Sequence, residues 1–264
     1  MLKPASRLPP YPTASILPGP TAGIRTMIPF RDSSAPRRLT PINSLLILLN
    51  FAVFGYEISL GSRVEGFVAR YAMVPERVAA SAHVLDRVAA PGSWNHALTP
   101  ILSTITSMFI HGGILHLAGN MLYLFIFGAA VEWRMGSRRF LLFYIASGIA
   151  AAIATVLISP ESEVPVIGAS GAIAGVLGAY FIFYPRGRIT TVLPVFIFIQ
   201  IVEVPAVLYL LLWFAVQLYA GLREGPQGSV AGGVAWWAHV GGFLFGVGLG
   251  PLMARGEPPR RRPR

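Results

Sequence analysis

Apolar residues in this chain come in unbroken blocks, not in the alternating pattern of a half-buried strand or the one-sided stripe of a surface helix. A helix that crosses a bilayer core needs about 20 apolar residues, fewer where neighbouring protein shields it. Six blocks approach that length: residues 41–60, 115–131, 140–158, 170–184, 205–219 and 234–253. Pro41 suits a helix start, where its missing N–H goes unneeded, and Asn50 and Glu57 fit the first block if they face protein. The block 170–184 is short, rich in Gly and Ala, and stops at Pro185-Arg186-Gly187-Arg188. Residues 189–219 are too long for one simple span and contain Pro194 and Pro205. We read a crossing from Pro205 to Tyr219 with an interfacial stretch before it; the alternative is one long helix kinked at Pro205.

Between the first two blocks lies a long mixed loop, residues 61–110, in which Arg63, Arg70, Arg77 and Arg87 are offset by Glu65, Glu76 and Asp86. Loops of this length carry structure or function of their own. The first forty residues hold many prolines and scattered basic residues but no apolar stretch, and read as a disordered tail. The expected organisation is therefore a basic tail over 1–40, a membrane domain over 41–253 and a second basic tail over 254–264.

Composition agrees with this pattern. Hydrophobic residues make up 54% of the 264 positions and charged residues only 12%, where a soluble domain carries about a quarter charged. The net charge of +10 would suggest a nucleic-acid partner if it formed a patch. Its distribution points instead to topology. Six crossings put both termini on one side, and with that side inside, 16 of the 21 basic residues fall on inner segments. The expected orientation is N-in and C-in. No cysteine is present, which excludes disulfides and thiolate chemistry.

Four polar positions in or beside the apolar blocks call for explanation. Ser170 lies in Gly168-Ala169-Ser170-Gly171, where small neighbours let another group approach its hydroxyl, as a nucleophile requires. His239 lies in the outer third of the last block, at a depth similar to Ser170, and an ionisable side chain there is a functional candidate. Gly171 and Gly175 on one block and Gly242 and Gly246 on the other form small-residue faces that allow two helices to pack closely and bring Ser170 and His239 together. His116 and Asn120, four residues apart, share one helix face and could both donate hydrogen bonds to a developing oxyanion. His111 precedes His116 by five residues, with Gly112-Gly113 between them breaking the helix, so the pair suits loop fixing better than metal binding. No HExxH is present, which disfavours a zinc protease. Glu132, next to Trp133 and Arg134 and flanked by Gly128 and Gly136, reads as packing and charge pairing at the inner end of the second block, and Glu203 as a cap or a partner for an inner arginine.

Taken in order, His111-Gly112-Gly113-Ile114-Leu115-His116-Leu117-Ala118-Gly119-Asn120, Gly128-(x)3-Glu132-(x)3-Gly136, Gly168-Ala169-Ser170-Gly171 and Ala238-His239-(x)2-Gly242-(x)3-Gly246 resemble the rhomboid intramembrane serine proteases. The resemblance covers about residues 41–253 and is specific jointly, though no single motif is. It implies a six-transmembrane-helix, all-α bundle whose long first loop is membrane-associated and whose fifth span gates entry. It implies Ser170 as nucleophile, His239 as general base, and His116, Asn120 and the Ser170 amide as oxyanion donors, with no cofactor and no metal. Some family members stack a tyrosine, four residues after the nucleophile, on the base; this chain has Ala174, which leaves the orientation of His239 open. Substrates would be single-span membrane proteins cut within the bilayer, and a bacterial inner membrane is the expected location. The rivals are a catalytically silent rhomboid-like protein that binds membrane clients, and a small transporter, which would need internal repeats that the chain lacks.

Overall fold

The structure, a computed structural model, describes residues 28–32, 39–85, 94–195, 198–231 and 234–254. In chain order the elements are strand β1 (Ile28–Asp32), helices α1 (Pro41–Leu60), α2 (Val64–Tyr71), α3 (Pro75–Leu85) and α4 (Trp94–Thr106), then α5 (Ile114–Tyr123), which runs through a π turn (Leu124–Gly128) into α6 (Ala129–Met135). Helices α7 (Ser137–Ile158) and α8 (Ser170–Phe183) follow, then strands β2 (Arg188–Val195) and β3 (Phe198–Pro205), and finally α9 (Ala206–Ala231) and α10 (Trp236–Met253). Among the described residues, four stretches are long and apolar enough to cross a membrane: Pro41–Tyr71, Ile114–Met135, Ser137–Ile158 and Ala206–Gly225. Helix α8 is apolar but shorter, and its length matches its setting. Every residue from Gly171 to Tyr180 is buried, so protein rather than lipid surrounds it.

The outer surface is apolar. Leu48, Ile114, Leu115, Leu142, Leu157 and Leu252 are all more than 60% exposed, an arrangement suited to a lipid solvent and costly in water. Polar groups turn inward instead. On α1, Asn43, Asn50 and Glu57 recur every seventh residue and are buried, as the first block required. Asn50 donates to the Leu46 carbonyl at 2.8 Å, and the Glu57 carboxylate accepts the His111 backbone N–H at 3.2 Å.

Glu132 needs a corrected reading. Its carboxylate accepts the backbone N–H groups of Ile42 at 3.1 Å and Asn43 at 2.7 Å, and the Ser137 hydroxyl at 2.7 Å. It therefore caps the start of α1, where unpaired amides and the helix dipole favour a negative charge, in place of the charge pairing expected there. Arg134 lies over the Phe183 ring, 5.8 Å from its centroid. Glu203 does meet an arginine: Arg188 is 3.4 Å away across an exposed ion pair.

The expectation of an all-α molecule also needs correction. Residues 189–195 and 198–204, expected as an interfacial stretch, belong to an antiparallel pair of strands, and β1 adds to it in the order β1-β2-β3. The β-branched run Ile189-Thr190-Thr191-Val192 favours extended chain, and Pro205 ends the sheet just where α9 begins. Among the described residues, pairing with β1 runs from Ile189 to Val192, and Pro194 there pairs with β3 alone. Residues 28–32, expected in a disordered tail, are thus an ordered edge strand, fastened further by a hydrogen bond from the Tyr180 hydroxyl of α8 to Asp32. Residues 1–27 and 33–38 of that tail and residues 255–264 lie outside the described residues.

The long loop is largely helical where it is described. It is tied back to the body by paired backbone bonds between Met73 and Val166 (3.2 and 2.7 Å), and held together internally by the Thr106 hydroxyl on the Tyr71 carbonyl at 2.7 Å. The core is centred on α8, with α10 and α7 against it and Phe127, Phe140, Phe143, Tyr144 and Tyr180 filling the space below the site.

Candidate active site

Helices α8 and α10 meet through their glycines. A Cβ on Gly242 would overlap the Gly171 carbonyl, one on Gly246 the Gly175 carbonyl, and one on Gly178 the Phe243 carbonyl. The two backbones are therefore in direct contact, as the small-residue faces predicted. This contact sets Ser170, the first residue of α8, beside His239, in the first turn of α10. Ser170 Oγ lies 2.8 Å from His239 Nε2, a good distance for a hydroxyl donating to an imidazole nitrogen.

The other imidazole nitrogen is taken as well. Nδ1 lies 2.7 Å from Oε1 of Gln217, a buried residue of α9. With Nδ1–H donating to that carbonyl oxygen, Nε2 keeps its lone pair for the serine proton. Sequence reasoning missed Gln217, because an amide in an apolar helix is not ionisable and does not announce a site. The available signal was its spacing: Tyr209, Trp213, Gln217 and Gly221 recur every fourth residue and define one face of α9. Trp213 stacks at a tilt on His239 with ring centroids 5.8 Å apart, and Trp236 meets it edge-on at 6.4 Å. Ala174 explains why the ring comes from α9. A Cβ on Gly242 would lie 3.3 Å from the Ala174 methyl, so α10 passes close to that residue, which offers no ring of its own.

Across from His239, α5 presents His116 and Asn120. Gly113, at the start of that helix, supplies the break expected from the glycine pair. Gly168 has φ +116°, a conformation that favours glycine, and a Cβ there would lie 2.8 Å from the His116 imidazole and 3.5 Å from Asn120 Nδ2. The chain leading into Ser170 thus passes directly over both side chains, held by the Gly168 N–H on the Ser107 carbonyl at 2.9 Å. Asn120 Nδ2 is buried and has no hydrogen-bond partner among the described residues. A buried unpaired donor costs about 1–3 kcal/mol, and such groups point to a ligand or a reacting atom.

His111 stays outside this group. Its Nδ1 lies 3.3 Å from the Phe109 carbonyl and its ring 5.1 Å from that of His116, consistent with loop fixing. Burial pushes its pKa down to about 4, with the neighbouring His116 adding to the shift, so the ring is neutral at ordinary pH. Among the described residues no cluster of three His, Cys, Asp or Glu could hold a metal ion. The arrangement offers a hydroxyl within hydrogen-bond reach of an imidazole, faced by the unsatisfied Asn120 amide, which are parts suited to acyl transfer.

Known proteins bear on this arrangement. Residues 99–256 match the Rhomboid domain family. The chain is 50% identical over 90 residues to the rhomboid protease GluP of Bacillus subtilis, covering 34% of this chain and 16% of that protein. It is 43% identical over 91 residues to the putative rhomboid protease YdcA of the same organism, covering 34% and 42%. Against the rhomboid protease AarA of Providencia stuartii it is 28% identical over 215 residues, covering 76% and 68%. The chain therefore spans less than half the length of the two Bacillus proteins over the matched part. The family match takes in more than half of the chain, and this multi-pass membrane protein belongs to the rhomboid family.

Proposed function

We propose that the protein is an intramembrane serine endopeptidase that cuts membrane-spanning segments of other proteins through a dyad of Ser170 and His239. The observation that carries this reading is the 2.8 Å Ser170–His239 contact beside the unpartnered Asn120 amide. His239 Nε2 takes the hydroxyl proton as Oγ attacks a substrate carbonyl. The oxyanion that forms is held by the Asn120 side chain, His116 and the Ser170 amide. Collapse expels the amine, which takes the proton from His239, and leaves an acyl-enzyme. Water, deprotonated by the same imidazole, then releases the acid and restores the serine. His111, Glu132 and Arg134 hold the scaffold, and Gly171, Gly175, Gly242 and Gly246 set the distance between nucleophile and base.

The same reading gives six crossings, with α8 and α10 completing the four long stretches, both termini on the inner side, and single-span membrane proteins as substrates. A bacterial cell membrane is the proposed location, supported by the bacterial relatives. A fluorophosphonate or isocoumarin probe tests the chemistry. Wild-type protein in bilayers should be labelled on Ser170 and should cleave a single-span reporter, and Ser170→Ala and His239→Ala should do neither. Asn120→Ala should lose about a hundred- to a thousandfold in rate, less complete than the serine variant. Equal reporter cleavage by wild type and Ser170→Ala would overturn the reading, and an unlabelled, inactive wild type would favour a silent client-binding protein.

A further inference from the structure

We propose that Gln217 is the positioning residue of the base, filling from α9 the place that a carboxylate fills in a serine–histidine–aspartate triad. This rests on the proteolytic reading of the site. Both ring nitrogens of His239 are taken, Nε2 by Ser170 at 2.8 Å and Nδ1 by the Gln217 carbonyl oxygen at 2.7 Å. An imidazole has two tautomers and two flipped orientations, and only a hydrogen-bond acceptor on Nδ1 selects the one that aims a lone pair at Oγ. Nothing on α8 can do this, because Ala174 lies under α10 and carries no polar atom. Trp213, one turn before Gln217, covers the face of the ring but offers it no acceptor.

The amide suits its surroundings. A carboxylate at this depth would cost several kcal/mol to desolvate, whereas an amide fixes the tautomer without a net charge. It also has a consequence for α9. Since Gln217 reaches the base from a different helix than the one that carries it, His239 is oriented only while α9 lies against α10. Displacing α9 both opens the side of the site and releases the base, so hydrolysis requires α9 to settle back after a segment has entered.

The test uses the full chain in lipid bilayers and three readouts. Gln217→Met keeps length and packing but removes the acceptor, and Gln217→Glu restores an acceptor oxygen. In Gln217→Met, kcat for reporter cleavage should fall about tenfold to a hundredfold, the scale expected when a catalytic group is misplaced by about 1 Å, while KM changes less than about twofold. Gln217→Glu should recover most of that loss, and its negative charge should move the acid limb of the kcat profile to higher pH by favouring the imidazolium. In nitrogen NMR of histidine-labelled protein, His239 should hold its proton on Nδ1 in the wild type and show mixed tautomers in Gln217→Met. An unchanged kcat and tautomer in Gln217→Met would overturn the proposal, as would equal losses in both variants with the tautomer unaltered. The NMR readout needs no turnover, so a wild type that cleaves nothing but holds the Nδ1 proton would sink the proteolytic reading and leave the Gln217 contact standing.

Discussion

The two sides of His239 are built on different principles. Toward α8 the contact is backbone on backbone: the carbonyls of Gly171 and Gly175 occupy the space that side chains on Gly242 and Gly246 would need. Toward α9 the contact is made by the tips of large side chains, Trp213 and Phe214 on Phe243, Trp213 on His239, and Gln217 on the imidazole nitrogen. In a bilayer no hydrophobic gain accompanies helix association, since lipid is as apolar as leucine, and packing and hydrogen bonds carry the energy. A glycine seam has no rotamers to change, so α8 and α10 behave as one body. Side-chain tips can separate and re-form, so α9 is the element that can leave. Ser170 and His239 thus sit on the glycine seam, while the hydrogen bond on His239 Nδ1 comes from the helix that packs through side-chain tips.

The contrast can be broken most severely at the seam. Gly246→Leu forces a side chain into the Gly175 backbone, and overpacking of this kind costs about 3 kcal/mol or more. Loss of folded protein in a thermal melt, with activity lost in parallel, is the expected outcome; a stable, active variant would show the seam to be compliant. A smaller effect is expected on the α9 side. Trp213→Ala removes a ring stacked on Phe243 and His239, a loss of about 1 kcal/mol beyond simple area. Faster hydrogen exchange confined to α9, with the melt of the remainder nearly unchanged, would support separate bodies, and a uniform increase throughout would argue for one.

Further from the site, the Tyr209 hydroxyl of α9 meets that of Tyr123 on α5 at 2.7 Å. Tyr209→Phe should cost about 0.6 kcal/mol, a typical value for such a bond between membrane helices, and should raise the α9 exchange rate only slightly. Last comes the Arg188–Glu203 pair that bridges β2 and β3 just before α9. Its side chains are 58% exposed, so salt and solvent weaken it. Arg188→Ala should leave both the melt and reporter cleavage within error, and a marked change would mean that the sheet, not the helix face, sets the position of α9.

Much of the site is legible in the amino-acid sequence, for a physical reason. Lipid forces backbone polar groups into helices and makes every buried polar side chain conspicuous, so Ser170, His116, Asn120 and His239 stand out from their apolar surroundings. Glycines spaced by four mark which helices can touch. Two things are not legible. The sheet of β1, β2 and β3 is short, the pairing of β1 with β2 joins residues about 160 positions apart, and local pattern cannot announce such a partner. Strand propensity in 189–192 is outweighed by the apolar run around it.

The remaining gap lies at single side chains. Glu132 sits next to Arg134 in sequence, but its partners are the first amides of α1, some 90 residues earlier, because a helix N-terminus offers a carboxylate two aligned donors. Gln217 is one polar letter in an apolar helix, and only the packing of α9 against α10 brings its oxygen to His239. The sequence by itself determined the membrane setting, the helices and the chemical types at the site, since these follow from solvent and spacing. Which group meets His239 Nδ1 was decided by tertiary structure alone, since a hydrogen bond of 2.7 Å depends on how two helices are placed, and no local property of either encodes that.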